Sequence, residues 1–171
     1  METINAYYNS PVGPLEIRSC GNDITAVLFA SSEWKGIRLD ESSVDFKLPS
    51  SAAIQNCCRQ LDEYFEGSRF IFDLPIAQSG TGFQQGVWNA LLDIPYGKTI
   101  SYLELSKRLG NVKAIRAVGT ANGNNNVAII VPCHRVIGSN GTLVGYGGDL
   151  WRKKWLLEHE AKFAHGVQTL F

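Results

Sequence analysis

Thr81–Gly110 reads T-G-F-Q-Q-G-V-W-N-A-L-L-D-I-P-Y-G-K-T-I-S-Y-L-E-L-S-K-R-L-G, and the organisation of the chain follows from it. Thr81 stands three residues before Gln84, and Ser101 three before Glu104. This is the spacing at which an N-cap hydroxyl and a side chain one turn later satisfy each other's backbone N–H groups. The first box predicts a helix with Phe83, Val87, Trp88, Leu91 and Leu92 on one face, stopped by Pro95–Tyr96–Gly97. The second predicts a short helix through Leu103 and Leu109 to Gly110, and Asn111 is placed to cap another from Lys113 to about Asn122. Two short helices across a Gly–Asn turn fit a helix-turn-helix, although many such pairs never touch DNA.

Upstream, Gln78–Ser79–Gly80–Thr81–Gly82 has the composition of a linker. It divides the chain into residues 1–80 and 81–171, an α+β arrangement of one mixed and one mainly helical domain. Ile4–Tyr8, Leu15–Ser19 and Ile24–Phe29 are rich in β-branched and aromatic residues. Pro11–Gly13–Pro14 and Gly21–Asn22–Asp23 separate them as turns. From Ile54 the period changes: Ile54, Cys57, Cys58, Leu61, Tyr64 and Phe65 share one helical stripe that ends near Gly67. Cys57 and Cys58 are therefore expected to pack in a core.

Of the 171 residues, 44% are hydrophobic and 19% charged, the profile of a globular chain. No apolar leader follows Met1–Glu2, and the longest apolar run, Val127–Val131, is far too short to cross a bilayer. The expected setting is the cytoplasm, without a membrane, and a reducing one in which Cys20, Cys57, Cys58 and Cys133 stay free. Their spacing argues against a metal site, and no cofactor motif is present. Net charge is zero but unevenly spread. Residues 1–80 hold six basic and eleven acidic groups, and residues 81–171 ten and five, so the second half is the candidate face for a polyanion.

Beyond the helix pair, the polar turn Gly123–Asn126 leads into Val127–Val131, which reads as a buried strand delivering Pro132–Cys133–His134–Arg135–Val136. A glycine-rich loop with Tyr146 inside it follows, and then a helix from Asp149 to about Ala161. A thiol is mostly protonated at neutral pH, so a nucleophilic cysteine needs a base or a cation nearby. His134 and Arg135 offer both types. Neighbouring side chains on an extended chain point to opposite faces, so a bridging water is the natural proton path from Cys133 to His134. A carboxylate should orient the imidazole, and Glu158 and Glu160 are both placed for that on the last helix.

Four motifs occur in order: Ile100–Tyr102 (I-S-Y), Ala114–Gly119 (A-I-R-A-V-G), Ile129–Val136 (I-I-V-P-C-H-R-V) and Trp155–Glu160 (W-L-L-E-H-E). Residues 83–160 thereby resemble the catalytic domain of the O6-alkylguanine-DNA alkyltransferases, and the first half does so more loosely. The resemblance implies an N-terminal ribonuclease-H-like domain with a three-stranded antiparallel sheet, and a C-terminal domain with a winged-helix-like DNA-binding unit. It implies a monomer that acts once on double-stranded DNA, moving the alkyl group of O6-alkylguanine or O4-alkylthymine to Cys133. His134 would be the base acting through water, Glu160 its orienter, and Asn125 a brace behind the site. Arg116 would fill the gap left by the flipped nucleotide, Tyr102 would press on the phosphate and contact the base, and Asn111 and Ser139 would touch DNA. Val136, Tyr146, Gly147 and Gly148 would line the base pocket, with Lys153 closing nearby. Gly147 stands where some relatives have serine, and Asn126 where proline is frequent.

Three rivals make different demands. A non-catalytic lesion sensor of related type would lack the acceptor cysteine. A cysteine hydrolase would turn over and would have no use for Arg116. A transcriptional regulator would read sequence in the major groove.

Overall fold

The computed structural model describes residues 1–30, 51–144, 146 and 149–166. The chain divides into two compact units, Met1–Gln78 and Ser79–Phe171.

In the first unit β1 (Thr3–Ser10), β2 (Gly13–Cys20) and β3 (Asp23–Phe29) form an antiparallel sheet in the order β1-β2-β3. Leu15, Ile17 and Ser19 alternate inward along β2, with Glu16 and Arg18 turned outward and joined by a salt bridge. The turn between β1 and β2 is shorter than the Pro–Gly–Pro cluster predicts. Gly13 and Pro14 already pair with Ser10 and Asn9, and Pro14 O accepts from Ala30 N–H at 3.0 Å. Proline is tolerated there because the start of a strand makes little demand on its missing N–H. Residues 75–77 run parallel to β3 through two backbone bonds on Ile24, a pairing no sequence pattern announces.

Helix α1 (Ala52–Glu66) lies on this sheet. Ser51 caps it by accepting from Ile54 N–H, and Gly67, in the left-handed conformation at φ 86°, ends it. Ile54, Cys57, Cys58, Leu61 and Tyr64 face the core. Burial of each large apolar side chain stabilises the unit by about 1.5–3 kcal/mol.

The second unit contains α2 (Gly82–Leu91), β4 (Ile100–Ser101), α3 (Tyr102–Arg108), α4 (Ile115–Gly123), β5 (Val136–Ile137) and α5 (Leu150–His165). The Thr81–Gln84 capping box is complete. At α3, Ser101 Oγ accepts from Glu104 N–H, while the Glu104 carboxylate turns to Arg108. Asn111 Oδ1 accepts from Lys113 N–H and caps a 3-10 turn, Val112–Ala114, that runs into α4. The burial of α2 is narrower than its apolar pattern. Val87, Trp88 and Leu91 are buried, but Phe83 is 46% and Leu92 51% exposed, so only the middle turns pack. Trp88 fixes the contact with α4 by donating its indole N–H to Ala121 O at 2.9 Å.

Val127–Val131 is not a strand. All five residues are buried, the chain turns on itself, and Ile129 takes a left-handed φ of 71°. For a β-branched residue that conformation costs on the order of 1–3 kcal/mol. An unbroken apolar run reports burial on every side and carries no period, so it cannot distinguish a strand from a buried coil. The extended pairing comes later, where β4 and β5 run parallel with Ile100 opposite Val136 and Ser101 opposite Ile137.

Candidate active site

Asn125 supplies the bonds that a neighbouring strand would otherwise give to the coil. Its Oδ1 accepts from Val127 N–H (3.1 Å), and its Nδ2 donates to Val131 O (2.9 Å) and Val127 O (3.4 Å). The coil ends in a 3-10 turn, Cys133–Arg135, whose three residues are all buried. Successive side chains there step by about 120°, so Cys133 and His134 diverge much as they would on an extended chain.

Cys133 is 5% exposed and free. Burial pushes its thiol above the ordinary range, while the Asn125 side chain, the Lys153 ammonium and the backbone N–H groups of Cys133 and His134 pull it down. His134 is fully buried, with Nε2 2.7 Å from Glu160 Oε1. Glu160, on α5, is fully buried too, and its carboxyl stays well below the usual range despite burial because His134 and Arg135 meet it. An ionised Glu160 fixes the imidazole tautomer. Nε2–H donates to the carboxylate, and Nδ1 is left as the lone-pair atom, buried and without a hydrogen-bond partner among the described residues. Burial holds the His134 pKa below 6.5.

Glu158 does not share this site. It pairs with Lys154 at 3.9 Å. Arg135 also departs from the sequence reading, because its guanidinium faces Glu160 and not the thiol. The cation that acts on the sulfur is Lys153, fully buried, whose Nζ donates to Val136 O and Val144 O (2.8 Å). Burial lowers Lys153 to about 8, with Cys133 pulling the other way.

Tyr102 opens α3 and donates its hydroxyl to Val144 O at 3.0 Å; the β4–β5 pairing holds it near Val136. The rings of Tyr102 and Tyr146 lie 5.7 and 5.9 Å from Lys153 Nζ. Arg116 is exposed on α4, as is Asn111 at the turn between the helices. Ser139 is exposed in the turn after β5. Gly147 and Gly148 lie outside the described residues.

Two contributors carried no signal of their own. Asn122, buried on α4, donates Nδ2 to Cys133 O at 3.3 Å. Gly97 donates its N–H to Glu160 Oε2 at 3.3 Å. With φ 74° and Ala164 Cβ only 2.6 Å from where a Cβ would stand, that position excludes other residues. Both partners are distant in sequence, so no local pattern could have revealed them.

The 6-O-methylguanine DNA methyltransferase ribonuclease-like domain matches residues 4–78, and the DNA-binding domain of the same proteins matches residues 82–162. The chain belongs to the methylated-DNA–protein-cysteine methyltransferase family. The Mycobacterium tuberculosis member is 45% identical over 163 residues, 95% of each chain, and the constitutive Bacillus subtilis member 42% identical over 146, covering 84% and 87%. The crystal structure of the M. tuberculosis O6-methylguanine methyltransferase matches with a TM-score of 0.80 at 42% identity, covering 94% of each chain. A structure of that family member in complex with DNA matches at 0.78 and 44%, covering 92% of each. The two-domain fold of the family, with its three-stranded sheet and ribonuclease-like first half, is therefore the fold of this chain.

Proposed function

We propose that this chain repairs double-stranded DNA by moving the alkyl group of O6-alkylguanine, and of O4-alkylthymine, to the sulfur of Cys133. The observation that carries the reading is the buried Cys133–His134–Glu160 series, in which Nδ1 of His134 has no hydrogen-bond partner among the described residues. Its family membership and its basic second half both fit a DNA partner.

A buried thiol that rests protonated needs a base, and His134 takes its proton through a bridging water. Glu160 stabilises the imidazolium that forms. The sulfur attacks the alkyl carbon, a C–S bond forms and the C–O bond to the base breaks. The electron pair stays with the base, which takes up the proton that left the thiol. A thioether is not hydrolysed as a thioester is, so the protein acts once.

Asn125 braces the acceptor segment. The base must leave the stack to reach a buried sulfur, which costs a few kcal/mol. Arg116 fills the gap, Tyr102 presses on the phosphate beside it, and Asn111 and Ser139 hold the backbone. Val136, Tyr146, Gly147 and Gly148 receive the base, with Lys153 beneath. The chain works as a monomer in the cytoplasm, without a metal or cofactor. Among the described residues no helix is long and apolar enough to cross a membrane.

Intact mass after mixing with excess methylated duplex tests the reading. One methyl should appear, on Cys133, and the reaction should then stop. Repeated turnover, or label on Cys20, Cys57 or Cys58, would refute it.

A further inference from the structure

Glu160 has more partners than an orienter of histidine requires. Oε1 accepts from His134 Nε2 (2.7 Å) and Arg135 Nη2 (3.0 Å); Oε2 accepts from Arg135 Nε (2.9 Å) and from Gly97 N–H (3.3 Å). The arginine is itself fixed. Its Nη1 donates to Ile94 O at 2.7 Å, and its guanidinium carbon lies 5.7 Å from the centre of the Tyr96 ring. A chain of contacts therefore runs from the turn after α2, through Arg135 and Glu160, to the imidazole.

We propose that Arg135 is a positioning residue of the acceptor site: by gripping both oxygens of Glu160 and meeting its charge, it keeps His134 a neutral Nε2–H imidazole with Nδ1 ready for the thiol proton. The inference rests on the reading of Cys133 as the alkyl acceptor. It has two physical parts. The planar fork fixes the plane of the carboxylate, and the carboxylate fixes the direction of the imidazole. The guanidinium also supplies the positive charge that Glu160 would otherwise draw onto His134. Without it, a fully buried carboxylate would pull His134 toward the imidazolium against burial, and a protonated His134 cannot take a proton from sulfur.

The charges around His134 fit this balance. Burial opposes its protonation first; Glu160 and Lys153 face it from α5 and Arg135 from its own turn, the carboxylate favouring its protonation and the two cations opposing it. Tyr96 flanks Arg135, Tyr146 feels the charges of Cys133 and Glu160, and Tyr102 that of Cys133. Helix α2 packs on the same turn and brings no ionisable side chain.

A merely structural arginine would tie α5 to the turn after α2, and its loss would lower stability and slow transfer by one factor at every pH. The test is the pH dependence of single-turnover methyl transfer from duplex DNA for wild type, Arg135→Met and Arg135→Lys. In Arg135→Met the acidic limb should move up by about one pH unit or more. Transfer would then be about tenfold slower on that limb and would recover as pH rises. Arg135→Lys keeps a charge and loses the fork, so its limb should stay near that of wild type while its plateau falls.

An Arg135→Met profile that overlays wild type, or falls equally at all pH values, overturns the proposal. So does a limb that moves as far in Arg135→Lys as in Arg135→Met. If Arg135→Met does not fold, 15N NMR of the imidazoles in wild type decides, with the other two histidines assigned through His159→Gln and His165→Gln. His134 should read as neutral and protonated at Nε2 at pH 7, and an imidazolium or the opposite tautomer overturns the idea. Wild type that takes no methyl on Cys133 would sink the acceptor reading instead, and the NMR result would still read the His134 state that the proposal requires.

Discussion

Cys58 on α1 and Cys133 on the turn before β5 are both buried, free thiols, and burial pushes both upward. Around Cys58, which burial raises to about 11, the charged neighbour Asp62 raises the thiol further, and its own backbone N–H is the one group that lowers it. Its neighbour Cys57 has burial and Cys58 acting on it in the same direction. Around Cys133 the company is of opposite sign: an asparagine amide, a buried ammonium and two backbone N–H groups, all of which lower it. Depth alone therefore does not set how a thiol is held in this molecule. The polar groups that share the depth make the difference, and Cys133 alone among the three is next to a histidine backed by a carboxylate.

The comparison breaks most directly at the sulfur. Cys133→Ala should abolish methyl transfer and keep DNA binding, whereas Cys57→Ala and Cys58→Ala should transfer at the wild-type rate with lowered thermal midpoints. Mass spectrometry and melting curves read both. Transfer surviving in Cys133→Ala would erase the distinction between the two regions.

Next comes the carboxylate. General-base help is worth roughly 10²–10⁴-fold, so Glu160→Gln should slow single-turnover transfer by something of that order while DNA affinity holds. Leaving Arg135 without its charged partner should also cost the fold about 3–5 kcal/mol, visible in urea melts. Glu158→Gln, whose partner is the half-exposed Lys154, should change neither. A folded Glu160→Gln that transfers at the wild-type rate would refute the relay.

A smaller effect separates chemistry from extrusion. Arg116→Ala should slow repair of duplex DNA far more than alkylation by free O6-benzylguanine, because only the duplex has a gap to fill. Equal losses on both substrates would remove Arg116 from that role.

The mildest effect is in the pH dependence of stability. Glu160 is held ionised in the folded state below the ordinary carboxylate range, so its contribution is present above the unfolded value and lost as pH falls. His134 resists protonation when folded, so stability also falls as pH drops below about 6.5. Acid titration of Glu160→Gln should therefore be flatter than wild type between about pH 5 and 3. Parallel curves would contradict the shift.

What the sequence disclosed follows from the range of the interactions. Capping at Thr81 and Ser101 involves residues three apart, and the stripe of α1 repeats within one helix, so both are written locally. The Val127–Val131 coil is held by Asn125 and by burial, neither of which leaves a period, and it was legible only as apolar. Motif resemblance gathered Cys133, His134 and Glu160 together. The partnership of Arg135 with Glu160 crosses 25 residues, that of Asn122 with the Cys133 carbonyl depends on how the coil folds back, and adjacency in sequence suggested the wrong role for Arg135.

The two-rung ladder between β4 and β5 bears on how such a chain can change over time. Ile100 opposite Val136 and Ser101 opposite Ile137 tie the start of α3 to the exit from the Cys133–Arg135 turn, whatever the length of the connections between them. A change of length in a connection away from the ladder would leave those rungs in register. A single residue added between Ile100 and Tyr102, or beside Val136, would shift one side of the ladder against the other and carry Tyr102 away from the sulfur. The register of two residue pairs, whatever the length of the loops, thus sets how far Cys133 stands from the helix pair.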